Sequence, residues 1–164
     1  MGPGQPPFDF RTWFGRHTKE ITRPIVDAVL KALKNDGVTK IAATGYCFGA
    51  RYVFDLAFDG LIAVSVVSHP TGLSAPDDFN KYLATATAPL LINSCPIDQQ
   101  FPMEAAAQAD AVLGDGKFAP GYKRVHWDGC THGFAVRGDL NDPKVKAGKE
   151  GAFKEAIEWF NARL

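Results

Sequence analysis

The chain has little of what would place it early. Among its 164 residues are three cysteines, Cys47, Cys95 and Cys130, and no CxxC pair. An odd number at wide spacing is not a disulfide framework, and structural zinc has no ligand set. Charge of one sign is also missing: 18 Lys and Arg stand against 18 Asp and Glu, with no run of like charge. That removes the basic footprint of a nucleic-acid binder. No apolar stretch is long enough for a membrane span, and the first residues, MGPGQPPFDF, lack the apolar segment of a signal peptide. Free thiols without such a signal predict a reducing, cytoplasmic setting. There is no internal repeat, and no biased tract beyond the Gly/Pro-rich residues 1–7.

What is present is an ordinary globular composition, 46% hydrophobic and 22% charged, in a length that suits one domain with its own core. Residues 1–17 read as a lead-in, irregular, rich in Pro and Gly and then in aromatics, which should pack onto something. Between Thr18 and Lys34, Ile21, Ile25, Val26, Val29, Leu30 and Leu33 recur at helical spacing, and Gly37 is placed to end that helix as a left-handed cap. "KIAAT" reads as a buried strand, "GARYVFDLAF" as a helix, and "LIAVSVVSHP" and "APLLINSC" as further apolar strands. "MEAAAQADAVL" is a helix of strong formers, and "GYKRVHWDGC" a fourth strand. The end is a helix with Phe153, Ile157, Phe160 and Leu164 along one side. Short apolar strands alternating with helices predict an α/β fold, about four parallel strands flanked by helices.

The chemistry gathers in three loops. In "GYCFG", a Gly-x-nucleophile-x-Gly turn lies between a strand and a helix, the pattern of a nucleophile elbow. The turn is tight, so Gly45 and Gly49, two before and two after Cys47, are expected to be small for steric reasons. The helix start favours a thiolate at Cys47, and the Phe48 backbone N–H is placed for an oxyanion. A thiol nucleophile needs a base, and the base an orienting acid, in the chain order nucleophile, acid, histidine. Asp98 follows the "PLLINS" strand, between Pro96 and Pro102. Of the four histidines, His17 precedes the nucleophile, His69 ends a strand, and His126 lies within one. His132 alone sits in a loop after the last strand, where the base belongs. An activated thiol also admits a redox-sensing role.

These segments, "GYCFGARYV", the Asp98 turn with its Phe-Pro, and "HGFAVRGDLNDPKVKAGKEGAFKEAIEWF", resemble the dienelactone hydrolase family, and its fungal branch in particular. "FDFRTW" and "RPIVDAVLKAL" extend the likeness over essentially the whole chain. The resemblance implies an α/β-hydrolase without metal or cofactor that opens small lactones or esters through Cys47, Asp98 and His132. It also implies an arginine near a substrate carboxylate, with Arg137 and Arg51 as the candidates. Tyr46, His69 and Phe134 are further candidates for lining the substrate site. Family members carry roughly another third of a domain before "FDF", including a second oxyanion N–H and an acidic residue that contacts the resting thiol. On that footing the chain reads as an N-terminally shortened single domain, with reduced activity and a bare edge on the "KIAAT" strand. Such an edge predicts pairing with a second copy or with an N-terminal partner segment. The alternative is a non-catalytic binding or assembly module derived from a hydrolase.

Overall fold

The computed structural model describes residues 9–164; the expectation of irregular chain over residues 1–8 lies outside them. Where one domain was expected, the chain divides into two units, one ending at Thr39 and one running from Lys40 to Leu164.

In the first unit, where the lead-in was expected to be irregular up to residue 17, residues Phe10–Gly15 form a helix, α1. Asp9 starts it, its carboxylate accepting from the Thr12 N–H at 3.1 Å and the Thr12 hydroxyl at 2.5 Å. This is an N-cap, which the eye loses among the aromatics of FDFRTWF. Trp13 stacks on His17 at 4.1 Å, whereas Phe14 stays exposed, so the aromatic run is only partly sheltered. The long helix α2 (Lys19–Asn35) follows, with Gly37 at φ 84° closing it as expected. The Gly37 and Val38 N–H groups return to the Lys34 and Leu33 carbonyls. Its apolar stripe splits: Leu30 is buried, but Ile21, Ile25 and Val29 are exposed.

The second unit alternates strand and helix: β1 (Ala42–Tyr46), α3 (Gly49–Phe58), β2 (Val64–Ser68), α4 (Asp77–Thr85), β3 (Leu90–Ser94), α5 (Met103–Leu113), β4 (Tyr122–His126), α6 (Phe134–Arg137) and α7 (Pro143–Asn161). The strands pair in parallel in the order β1-β2-β3-β4. Every residue of β2 and β3 is buried, which is why both read as unbroken apolar runs. Alternation along β2 serves two layers. Val64 and Val66 join Leu91 against Ala156 and Trp159 of α7, while Ser65 accepts a 2.8 Å hydrogen bond from the Tyr82 hydroxyl of α4. Around Tyr82, the rings of Phe54, Phe58 and Phe118 pack edge to face at 5.0–6.1 Å.

Two elements were not visible in the sequence. α4 is short and buries only Phe79 and Tyr82, too sparse a pattern to show helical periodicity. α6 is a single turn. The last helix also turns differently from its pattern. Phe153, Ile157 and Leu164 are exposed, and the buried side is Gly148, Ala152, Ala156 and Trp159. The reason is close approach. A Cβ on Gly148 would lie 2.3 Å from Cys130 Sγ, and one on Gly151 would lie 2.1 Å from the Trp127 ring. Small residues let the helix seat beside Cys130 and Trp127, Trp159 is buried with them, and Phe153 and Ile157 fall to the outside.

Candidate active site

The strand carbonyl ends of a parallel sheet bring their following loops to one side. Cys47 follows β1 in such a loop, at φ 49°, a left-handed backbone that a non-glycine residue adopts only under constraint. The constraint is a set of backbone hydrogen bonds: the Cys47 N–H donates to the Ser68 carbonyl, and its carbonyl accepts from Ala50 and Thr71. Gly45 is required, because a Cβ there would lie 2.6 Å from the Gly49 carbonyl oxygen. Gly49 is not: an added Cβ meets nothing within 4 Å. The small residue that the turn needs on the helix side is Ala50, which is fully buried.

Asp98 and His132 come together through a feature that no local pattern announces. Beyond the ends of β3 and β4, Ile97 and Thr131 form an isolated parallel bridge, and the His132 N–H donates to the Ile97 carbonyl at 2.9 Å. The next residue on one side is the acid, and on the other the base. His132 Nδ1 lies 2.9 Å from Asp98 Oδ1, and His132 Nε2 lies 3.1 Å from Cys47 Sγ. Asp98 Oδ1 also accepts from the Gln100 and Phe101 N–H groups at 2.8 and 3.0 Å, so the carboxylate is fixed before it meets the ring. With Nδ1 donating to Asp98, Nε2 is the nitrogen left facing the Cys47 sulfur.

The electrostatics follow. Burial opposes ionisation of Cys47, but hydrogen bonds from Thr71 and His132, the charge of His132 and the Phe48 N–H outweigh it and hold the thiol below its ordinary value. The bond to Asp98 raises His132, against burial, and the bond to Cys47 adds to it. The other two thiols go the opposite way. Burial, with Asp98 and Cys130 nearby, pushes Cys95 up to about 12, and burial raises Cys130 as well. All three cysteines are free.

The remaining candidates separate. Arg51 is committed: it pairs with Asp55 at 2.9 Å and with Asp78 at 2.6 Å. Arg137 is exposed on α6, forms no ion pair among the described residues, and folds over Gly133 beside His132, its Nε 3.0 Å from where a glycine Cβ would be. His69 and Phe134, read as lining the substrate site, are instead fully buried. Their rings stack edge to face at 5.5 Å, and His69 stacks on His132 at 5.1 Å. Burial first, and then the charge of His132, lowers His69 to about 4, so it is neutral at physiological pH. Tyr46 lines a hollow of about 310 Å³ with Leu140 and Phe153, and a second hollow of about 340 Å³ meets His132 beside Ile97, Gln99 and Gln100. Only the second touches the triad. The remaining histidines serve their own elements: His17 bonds the Trp13 carbonyl, and His126 lies beside Ser94 and Asp128. Among the described residues, no three His, Cys, Asp or Glu side chains gather as metal ligands.

Sequence reasoning missed Thr71, whose hydroxyl lies 3.4 Å from Cys47 Sγ. Its one signal was position, in the loop just past the C-terminal end of β2.

A cysteine in a tight turn after β1, an acid after β3 and a histidine after β4 of one parallel sheet agree with what the whole chain matches. The model of the dienelactone hydrolase family aligns with residues 1–164. The chain belongs to the dienelactone hydrolase family. Within it, the chain is 32% identical to Hydrolase pyvD of Aspergillus violaceofuscus over 160 residues, 97% of this chain and 62% of that one. It is 33% identical to Hydrolase tropI of Talaromyces stipitatus over 146 residues, 88% of this chain and 55% of that one. It is also similar to Dienlactone hydrolase 1 of Gibberella moniliformis, at 28% identity over 95% of this chain and 59% of that one. The chain thus spans between 55% and 62% of these curated relatives. A crystal structure from Klebsiella pneumoniae described as that of a dienelactone hydrolase superposes with a TM-score of 0.71 at 16% identity, over 94% of this chain and 68% of that one. At that identity the likeness is one of fold, and the fold is the family's α/β arrangement.

Proposed function

We propose that this hydrolase cleaves small lactone or ester bonds through Cys47, His132 and Asp98. The observation that carries the reading is His132 bonded at once to Asp98 Oδ1 at 2.9 Å and to Cys47 Sγ at 3.1 Å. In the proposed cycle, the thiol proton passes to His132 Nε2 and the sulfur attacks the carbonyl carbon. The carbonyl electrons move to oxygen, where the Phe48 N–H supports the charge. As the tetrahedral adduct collapses, the leaving alkoxide takes the proton from His132. A water then gives a proton to the same nitrogen, attacks the thioester, and releases the acid and the thiolate. Arg137, unpaired and exposed close to the base, is the residue we assign to a substrate carboxylate.

The expectation of free thiols in a reducing setting supports a cytoplasmic location, and no helix among the described residues is long and apolar enough to cross a membrane. The test compares p-nitrophenyl acetate and dienelactone turnover by wild type and Cys47→Ala. Turnover that survives the substitution unchanged removes the catalytic reading.

A second reading has its own observation. Among the described residues, β1 pairs only with β2, so its other edge is open. That favours a binding role, in which a second copy or a partner segment adds to the sheet. Size-exclusion chromatography decides it: a stable monomer at all concentrations leaves the edge without a partner.

A further inference from the structure

The nucleophile has two side-chain partners, and only one belongs to the triad. Besides His132, the Thr71 hydroxyl lies 3.4 Å from Cys47 Sγ. Thr71 is 3% exposed, so water does not compete for that hydroxyl, and it has no other hydrogen-bond partner among the described residues. Its position is firmly set. The Thr71 N–H donates to the Cys47 carbonyl at 3.0 Å, tying the two backbones together. The residues that follow are tied to α3 and α4: Arg51 donates to the Gly72 carbonyl at 3.4 Å and pairs with Asp78, which also accepts from the Ser74 N–H at 2.7 Å. Arg51, an unpromising substrate contact, is thus a brace for the loop that carries Thr71.

Once the sulfur has lost its proton to His132 it is only an acceptor, and a half-buried thiolate, partly shielded from water, is stabilised by donors. A hydroxyl can rotate its proton towards it. We propose that Thr71 holds the Cys47 thiolate: its hydroxyl donates to the sulfur in the thiolate–imidazolium state and keeps it in line with His132 Nε2. No bond is made or broken at Thr71, which keeps its proton throughout. The proposal rests on reading Cys47 as the nucleophile.

The test follows alkylation of Cys47 by iodoacetamide against pH in the full chain, read by mass spectrometry of the peptide that contains it. Alkylation reports the thiolate directly and needs no substrate. The expected result for Thr71→Val is a rate at neutral pH about tenfold below wild type, the loss of one hydrogen bond to a charged group. Its pH midpoint should move upward, and Thr71→Ser should restore both. Thr71→Ala makes the same measurement if the valine variant does not fold. In ester turnover, the loss should appear in kcat with KM little changed. Midpoints in Thr71→Val and Thr71→Ala equal to wild type overturn the role of Thr71 while leaving Cys47 as nucleophile. A wild-type profile like that of a free thiol overturns the nucleophile reading and this one with it.

Discussion

The sheet has two edges, and they are built differently. β4 is guarded. Its residues are Tyr122, Lys123, Arg124, Val125 and His126, and three of them are engaged by side chains of the flanking helices. Arg124 grips Asp110 of α5 through both carboxylate oxygens, Tyr122 donates to the same Asp110 at 2.8 Å, and Lys123 pairs with Glu155 of α7 at 2.5 Å. Charged, paired side chains are how natural sheets blunt an edge. β1 has none of this. Ala42, Ala43, Thr44, Gly45 and Tyr46 are small or neutral, and Thr44 is exposed. β1 has the composition of an interior strand and the position of an edge strand. Yet each edge delivers one group of the proposed triad, Cys47 after β1 and His132 after β4, to the same hydrogen bond. The proposed chemistry depends on both edges; the charged, paired side chains guard one.

The largest effect should come from cutting the link between the edges. Cys47→Ala and His132→Ala should each lower ester turnover by about 10⁴ or more, and the double variant should fall no further, because the two act as a unit. Additive losses in steady-state kinetics would separate them. Next come the glycines of the elbow. Gly45→Ala should cost about 1–3 kcal/mol in denaturant melts, because its Cβ meets backbone at 2.6 Å. Gly49→Ala should be neutral or stabilise by about 0.5–1 kcal/mol, since it sits in open space at a helix start.

The pH response sharpens the contrast among the thiols. Cys47 is lowered, so its thiolate fraction persists below the range of a free thiol and is lost as pH falls through the lowered value. His132 is raised, so its proton is lost only as pH rises through that raised value. Turnover should therefore fall as pH drops through the lowered Cys47 value, and iodoacetamide should label Cys47 well before Cys95 and Cys130, which burial raises. Equal labelling near neutrality would contradict the site electrostatics. The smallest change should be Thr44→Lys, a guard added to the open edge. We expect its stability to change by less than about 0.5 kcal/mol and any self-association on a sizing column to weaken.

Much of this was legible in the chain. The four strands and the helices α2, α3, α5 and α7 follow from apolar periodicity, because each pattern is local and long enough to register. α1 hid behind aromatics and α4 behind a sparse pattern. The exposed side of α7 could not be foreseen, since it depends on what Gly148 and Gly151 approach, Cys130 and Trp127. The candidate triad was readable as an order of residue types, Cys47, Asp98 and His132, in the loops after β1, β3 and β4.

The family and the chain order of the candidate residues were thus readable from sequence, because an elbow pattern and its partners leave a covalent record in residue type and spacing. The tertiary structure alone decided three things. The Ile97–Thr131 bridge sets acid and base side by side. Burial sends His69 and Phe134 into the core and leaves Arg137 free at the surface. Thr71, 24 residues from Cys47 in the chain, comes within reach of its sulfur. Each depends on the packing of segments far apart in the chain, and hydrogen bonds across such distances leave no periodicity to read.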